Sequence, residues 1–228
     1  MVLAKPRDNK PIIKIKKSNR RRPAVNCLLL LDFYLYFSYF HCVIGRLLVL
    51  SGTPSTVDLS DAMCRPENIV KESERAVIIN DKYPKAKIHM LVLPREDISN
   101  IFKLNKSHIG LLEEFNRLFE EIRPEYESSE LIAGFHAVPS MSRLHMHIIS
   151  NDFISPALKT KKHWNSFTTK FFIPYSEVLN IIKEDGSIKR ITEEVHKQLL
   201  STELQCNQCS FKPKNMPALK QHLLTHSQ

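Results

Sequence analysis

Cys206, Cys209, His222 and His226 leave the C-terminal segment of this chain almost no choice of fold. The spacing Cys-x2-Cys-x12-His-x3-His has the ligand number and reach of a tetrahedral Cys2His2 zinc site. It sets two thiolates on a tight knuckle and two imidazoles one helical turn apart. Leu219 and Leu223 stand at helical spacing to pack beneath the ion, and Phe211 is expected to join them from the preceding ribbon. A segment this short has too little core to fold without metal, so structural Zn2+ is expected to contribute folding energy directly. A single finger reads base sequence weakly. Phosphate contacts from Lys212, Lys214 and Lys220 are therefore its expected use, with a purely structural clip as the alternative.

The formal charge of +9 is unevenly spread, because residues 1–58 hold ten Lys/Arg against three Asp/Glu and the remainder is close to neutral. The basic run 10–22 suits nucleic acid, anionic lipid or a nuclear import receptor, and equally a solvated arm. Residues 27–44 are nearly long enough to span a bilayer, but Asp32, His41 and the aromatic density weaken that reading. Residues 1–58 are thus expected to be either a membrane anchor or an extension foreign to the domain that follows. Cys27, Cys42 and Cys64 are scattered and suggest no disulfide framework, which fits a reducing compartment. The chain has five glycines, none clustered, which excludes a Walker-type or dinucleotide-binding loop. Any phosphate must be held by side chains and a few turn amides.

From residue 59 the pattern is that of an α+β domain reaching to about 200, followed by the zinc finger over 201–228. Apolar, β-rich runs at 75–80 and 88–94 flank the turn Asp81-Lys82-Tyr83-Pro84 and predict a hairpin. Residues 107–122 place Leu111, Leu112, Phe115, Leu118, Phe119 and Ile122 on one helical stripe. A strand is expected at 131–138, and helices at 176–182 and 191–200. Residues 144–149 alternate with the period of a strand, so Arg143, His145 and His147 should share one face while Leu144, Met146 and Ile148 turn to the core. Two adjacent imidazoles can attack, hold or protonate a phosphate. Taken alone, they are also what a half-buried strand with a polar face would show.

More of the sequence bears on that choice. The run Asp81-x2-Pro84-x-Ala86-x2-His89-x-Leu91-Val92-x-Pro94, followed by His145-Met146-His147-Ile148-Ile149, resembles the histidine-triad (HIT) superfamily of nucleotide hydrolases and transferases. Phe135-His136-Ala137-Val138-Pro139-Ser140-Met141-Ser142, Lys161-Lys162-His163-Trp164-Asn165-Ser166-Phe167 and the finger narrow the resemblance to the aprataxin family. That family removes AMP from the 5′ ends of abortively ligated DNA. The resemblance covers about residue 59 to the C-terminus, and nothing in the chain resembles the forkhead-associated domain that some members carry.

The resemblance implies a HIT fold with an antiparallel sheet, a nuclear DNA-repair hydrolase, structural zinc and no catalytic metal. Its expected partners are DNA with 5′-adenylated nicks or ends, RNA–DNA junctions included, with AMP as product. A monomer is expected, and no protein partner is inferable. His145 is implied as nucleophile, forming a covalent histidine–AMP that water hydrolyses. His147 would bind non-bridging phosphate oxygens with Ser140, and His136 would meet the leaving phosphate as acid or electrostatic clamp. Asp81 would hold the ribose hydroxyls, Ile79 and Leu91 would wall the adenine, and His89 would support the site from beneath. Lys85, Lys161, Lys162 and Trp164 fall where the family meets substrate or DNA, although Trp164 could simply pack against the core edge. His163 and His108 are expected to be surface residues.

Two departures stand out. The family strand reads His-x-His-x-His, whereas Arg143 holds the first position here and is expected on the site face, able to bind phosphate bidentately. The sequence before 59 does not match the family's DNA-wedging helix. The alternatives are a weakened or inactive DNA-end-binding protein, and a HIT hydrolase of free nucleotides.

Overall fold

The computed structural model describes residues 59–227. Six strands form one antiparallel sheet: β1 (Ile69–Glu72), β2 (Ala76–Asn80), β3 (His89–Pro94), β4 (Leu131–His136), β5 (Met146–Ser150) and β6 (Phe172–Pro174). Their spatial order is β1-β2-β3-β5-β4-β6. β2 and β3 make the expected hairpin, with Ile78 opposite Val92. β3 and β5 are buried along their whole length, as central strands covered on both faces must be. Their register sets Leu91 opposite His147 and His89 opposite Ile149.

Alternation divides the sheet into two faces. Ala76, Ile78, Met90, Val92, Met146 and Ile148 point to the main core. The helix α2 (Ile109–Ile122) covers that face with the stripe read from the sequence, Leu111 through Ile122. The helix α4 (Tyr175–Glu184) adds Val178 and Ile182. On the opposite face, Val77, Ile79, Leu91 and Leu93 pack with Leu59 of the short helix α1 (Leu59–Ala62). His89, His136 and His147 issue from this second face. Gly134, opposite His147, is required by close approach, since a Cβ there would stand 2.5 Å from the Ile173 carbonyl oxygen and 2.7 Å from the Phe172 ring.

The second face is closed by helix α3 (Lys161–Thr168), whose Thr160 hydroxyl accepts from the His163 N–H at 3.1 Å as an N-cap. Helix α5 (Glu193–Ser201) begins at the Thr192 cap and leads into the finger, whose helix α6 (Met216–Leu223) starts at Asn215. The finger is not a separate bead. Leu204, Cys206, Met216, Leu219 and Leu223 share a core with Trp164, Phe153 and Ile149. The Trp164 indole N–H donates to the Gln205 carbonyl at 3.2 Å, and the Asn165 amide donates to the carbonyls of Leu200 and Thr202.

Several expectations need correction. The histidine strand begins at Met146, not Leu144, because Arg143 adopts φ +82° and breaks the extended run. β1, β6 and the helix at 161–168 are additions to the sequence reading. Phe211 does not pack beneath the zinc ligands; it is 42% exposed, with its ring stacked on His222. The expected segment at 27–44 lies outside the described residues, among which no helix is long and apolar enough to cross a membrane.

Candidate active site and zinc centre

Four imidazoles meet on the second face of the sheet. His147 lies 4.3 Å from His136, 5.0 Å from His145 and 5.2 Å from His89, ring centre to ring centre. Phe167 of α3 stands edge-on to His147 and His89 and excludes water behind them. They line a cavity of about 1000 Å3 together with Ile79, Asp81, Leu91, Lys85, Ser140 and Lys162. Most of the residues named from sequence therefore do converge.

The hydrogen bonds fix which ring nitrogens carry protons. A carbonyl can only accept, so His145 Nδ1, 2.8 Å from the Arg143 oxygen, must be the protonated nitrogen. That leaves a lone pair on His145 Nε2. The Lys85 backbone N–H donates to His89 Nδ1 at 3.1 Å, so His89 carries its proton on Nε2 and donates to His147 Nδ1 at 2.9 Å. The His147 proton is thereby placed on Nε2, a buried donor with no partner among the described residues. An orphaned buried N–H is costly unless a ligand meets it. His136 Nε2 is likewise a buried nitrogen with no partner among the described residues.

Burial keeps all four rings neutral. It lowers His89 to about 4, against the pull of Asp81, and lowers His136 to about 3 with help from the neighbouring imidazoles and Lys85. His147 falls well below the ordinary value for the same reasons. Burial also lowers His145, while its bond to the Arg143 carbonyl works the other way. Lys85 is lowered by burial and partly restored by Asp81. Asp81 caps its own turn by accepting from the Tyr83 N–H at 2.6 Å, and its other oxygen stands 3.7 Å from His89 Nδ1. Asp81, His89 and His147 place donor atoms within 4.8 Å of one another, but the two imidazoles are already bonded together.

Six residues named from sequence sit elsewhere. Arg143 is not on the histidine face, because its positive φ takes it out of the strand alternation. Its guanidinium donates to the carbonyls of Pro94 at 2.8 Å and Arg95 at 3.2 Å, and to the Ser60 hydroxyl at 3.2 Å. It ties the entry of β5 to the end of β3, and only its carbonyl faces the site, through His145. Trp164 is 1% exposed and serves the seam with the finger, so its DNA-facing alternative falls. Lys161 is half-buried on α3 outside the cavity lining. Lys212 and Lys214 are exposed on the finger and Lys220 is half-buried on α6, all of them outside the cavity lining.

Sequence reasoning missed Phe171, His196 and Leu200, which line one end of the cavity, and Leu59 and Met141 at the other. His163 also lines the wall rather than lying free on the surface, and burial lowers its basicity. Nothing in the local pattern marks His196, which reaches the cavity through the packing of α5 on α3.

Cys206, Cys209, His222 and His226 offer ligand atoms within 4.8 Å of one another. Cys206 Sγ is 3.4 Å from His226 Nε2, Cys209 Sγ is 3.2 Å from His222 Nε2, and the two Nε2 atoms are 3.1 Å apart. Tetrahedral zinc with S and N ligands needs edges of about 3.5 Å, so the donors fit the ion with little movement.

The chain is similar to known proteins. A family model described as scavenger mRNA decapping enzyme C-term binding matches residues 59–163, and a C2HE / C2H2 / C2HC zinc-binding finger matches 168–228. An aprataxin-like protein of Drosophila melanogaster is 48% identical over 167 residues, covering 72% of this chain and 25% of the fly protein. Aprataxin of Gallus gallus is 43% identical over 171 residues, covering 74% of this chain and 54% of the chicken protein. The chain thus spans about half or less of these relatives. The crystal structure of the aprataxin ortholog Hnt3 in complex with DNA superposes with a TM-score of 0.56 at 25% identity, covering 70% of this chain and 86% of Hnt3.

Proposed function

Residues 59–228 belong to the aprataxin family of HIT hydrolases, and on that premise we propose that the protein removes AMP from 5′-adenylated DNA ends through a covalent histidine–AMP intermediate. The observation that carries this reading is the proton arrangement of the cluster. His145 has an unprotonated Nε2, and its neighbour His147 directs into the same cavity an N–H with no partner among the described residues.

The adenylate α-phosphorus sits between them. His145 Nε2 attacks it, a P–N bond forms, and the P–O bond to the DNA 5′-phosphate breaks, so the DNA departs with a ligatable end. The positive charge that develops on the imidazole is stabilised at Nδ1 by the Arg143 carbonyl. His147 Nε2–H and the Ser140 hydroxyl hold non-bridging oxygens. His136, lowered to about 3, is far too acidic to be a proton reservoir near neutral pH and acts as a neutral hydrogen-bonding clamp on the leaving phosphate. Water then attacks the phosphoramidate, releasing AMP and restoring His145. Asp81 faces the ribose, while Ile79 and Leu91 offer the apolar wall for adenine. Lys85 and Lys162 bring positive charge to the phosphates at the mouth. The zinc ion supplies folding energy to the finger, where Lys212, Lys214 and Lys220 meet the DNA backbone. A nuclear site of action follows from this substrate.

The test is AMP release from 5′-adenylated nicked DNA by the purified full chain, compared with His145→Ala. Equal release by the two proteins sinks the proposal.

A further inference from the structure

The cavity of about 1000 Å3 is at the upper end of the range for small-ligand sites, and a single nucleotide does not fill it. The sheet order gives it direction. The apolar nucleoside wall comes from β2 and β3, His147 from β5, and His136 from β4 beyond. Past His136 the lining continues with Phe171, whose ring lies 5.4 Å from His136, at the threshold of β6. On Phe171 rests His196 of α5, its ring stacked at 5.5 Å with the planes 26° apart.

We propose that this far end is a leaving-strand subsite in which His196, seated on Phe171, holds the phosphodiester backbone behind the departing 5′-phosphate. The inference rests on the adenylate-hydrolase reading and specifies what the enzyme grips on the side away from adenine. An in-line displacement at phosphorus must send its leaving group away from the attacking nitrogen, and the cavity extends past His136, the ring assigned to that group. His196 is equipped for the role. Glu193 of the same helix lies 3.6 Å from its Nδ1, so the imidazolium form, with an N–H on each nitrogen, is the one that bridges this carboxylate and a phosphate oxygen at Nε2. Stacking on Phe171 gives the imidazole a fixed plane. A small AMP conjugate ends before this subsite, whereas a DNA strand does not.

The discriminating experiment measures kcat/KM of the full chain on 5′-adenylated nicked DNA and on AMP-lysine, for the parent, His196→Ala and His196→Gln. The imidazole is half-exposed, so the fold should persist, which a thermal melt checks. In His196→Ala the DNA-to-AMP-lysine ratio should fall roughly tenfold, the size expected for one hydrogen bond to a charged oxygen, with His196→Gln in between. A ratio within about twofold of the parent, in a protein still active on DNA, overturns the subsite alone. A parent that hydrolyses AMP-lysine and not adenylated DNA overturns the functional reading and the subsite with it.

Discussion

Replacing Arg143 separates two roles that a single side chain could play. Its guanidinium makes hydrogen bonds to the carbonyls of Pro94 and Arg95 and to the Ser60 hydroxyl, with the side chain largely buried. Removing a charged donor from carbonyls that then lack a partner should destabilise the fold by about 2–4 kcal/mol in Arg143→Ala. Arg143 also adopts φ +82°, which a residue with a Cβ occupies at a cost. Arg143→Gly loses the same hydrogen bonds and relieves the backbone, so it should be about 1 kcal/mol more stable than Arg143→Ala. Both variants keep the carbonyl that accepts from His145 Nδ1. Urea denaturation measures the stabilities, and AMP release from adenylated DNA is assayed well below the transition. Arg143→Gly should retain activity within about tenfold of the parent, since no contact to substrate is removed. Loss of activity to the level of His145→Ala in folded Arg143→Gly would refute the reasoning and return the guanidinium to the phosphate.

Other consequences follow from the same structure. His89 and His136 are buried with acidities of about 4 and about 3, so between those values and the unfolded-state value near 6.5 the unfolded chain binds more protons than the native one. Stability should therefore be full above about pH 6.5 and fall as pH drops, by about 1.4 kcal/mol per unit for each histidine; a melting temperature unchanged from pH 7 to pH 5 would contradict it. Trp164→Ala should cost about 3–5 kcal/mol and loosen the finger from the catalytic body, seen as a broadened or split unfolding transition. Chelation should remove one zinc per chain, measured by metal analysis, and expose the seam at Trp164 as a shift in its fluorescence. A chain that keeps its spectrum and binds no zinc would be at odds with the site.

Much of this was legible in the sequence because it depends on short-range rules. The stripe from Leu111 to Ile122, the hairpin around Asp81 and the zinc spacing each declare themselves within about twenty residues. His145, His147 and His89 were nameable from the family motif. The proton relay from Lys85 through His89 to His147 was not, because it joins residues 58 positions apart through strand pairing. Arg143 was misplaced because strand alternation was extended one turn too far, across a residue with positive φ. Trp164 resembled a DNA contact while its basic neighbours were in view, yet its burial is decided by the finger packing from forty residues away. His196 had no local signal at all.

The central claim is that His145 Nε2 becomes covalently bonded to the adenylate phosphorus. Mixing the protein with 5′-adenylated nicked DNA, quenching in alkali to preserve a phosphoramidate, and mapping the modified peptide by mass spectrometry tests it directly. The account predicts an AMP adduct on His145 that appears before free AMP accumulates and is missing in His145→Ala. Turnover with no adduct at any time, or an adduct on another residue, would contradict it.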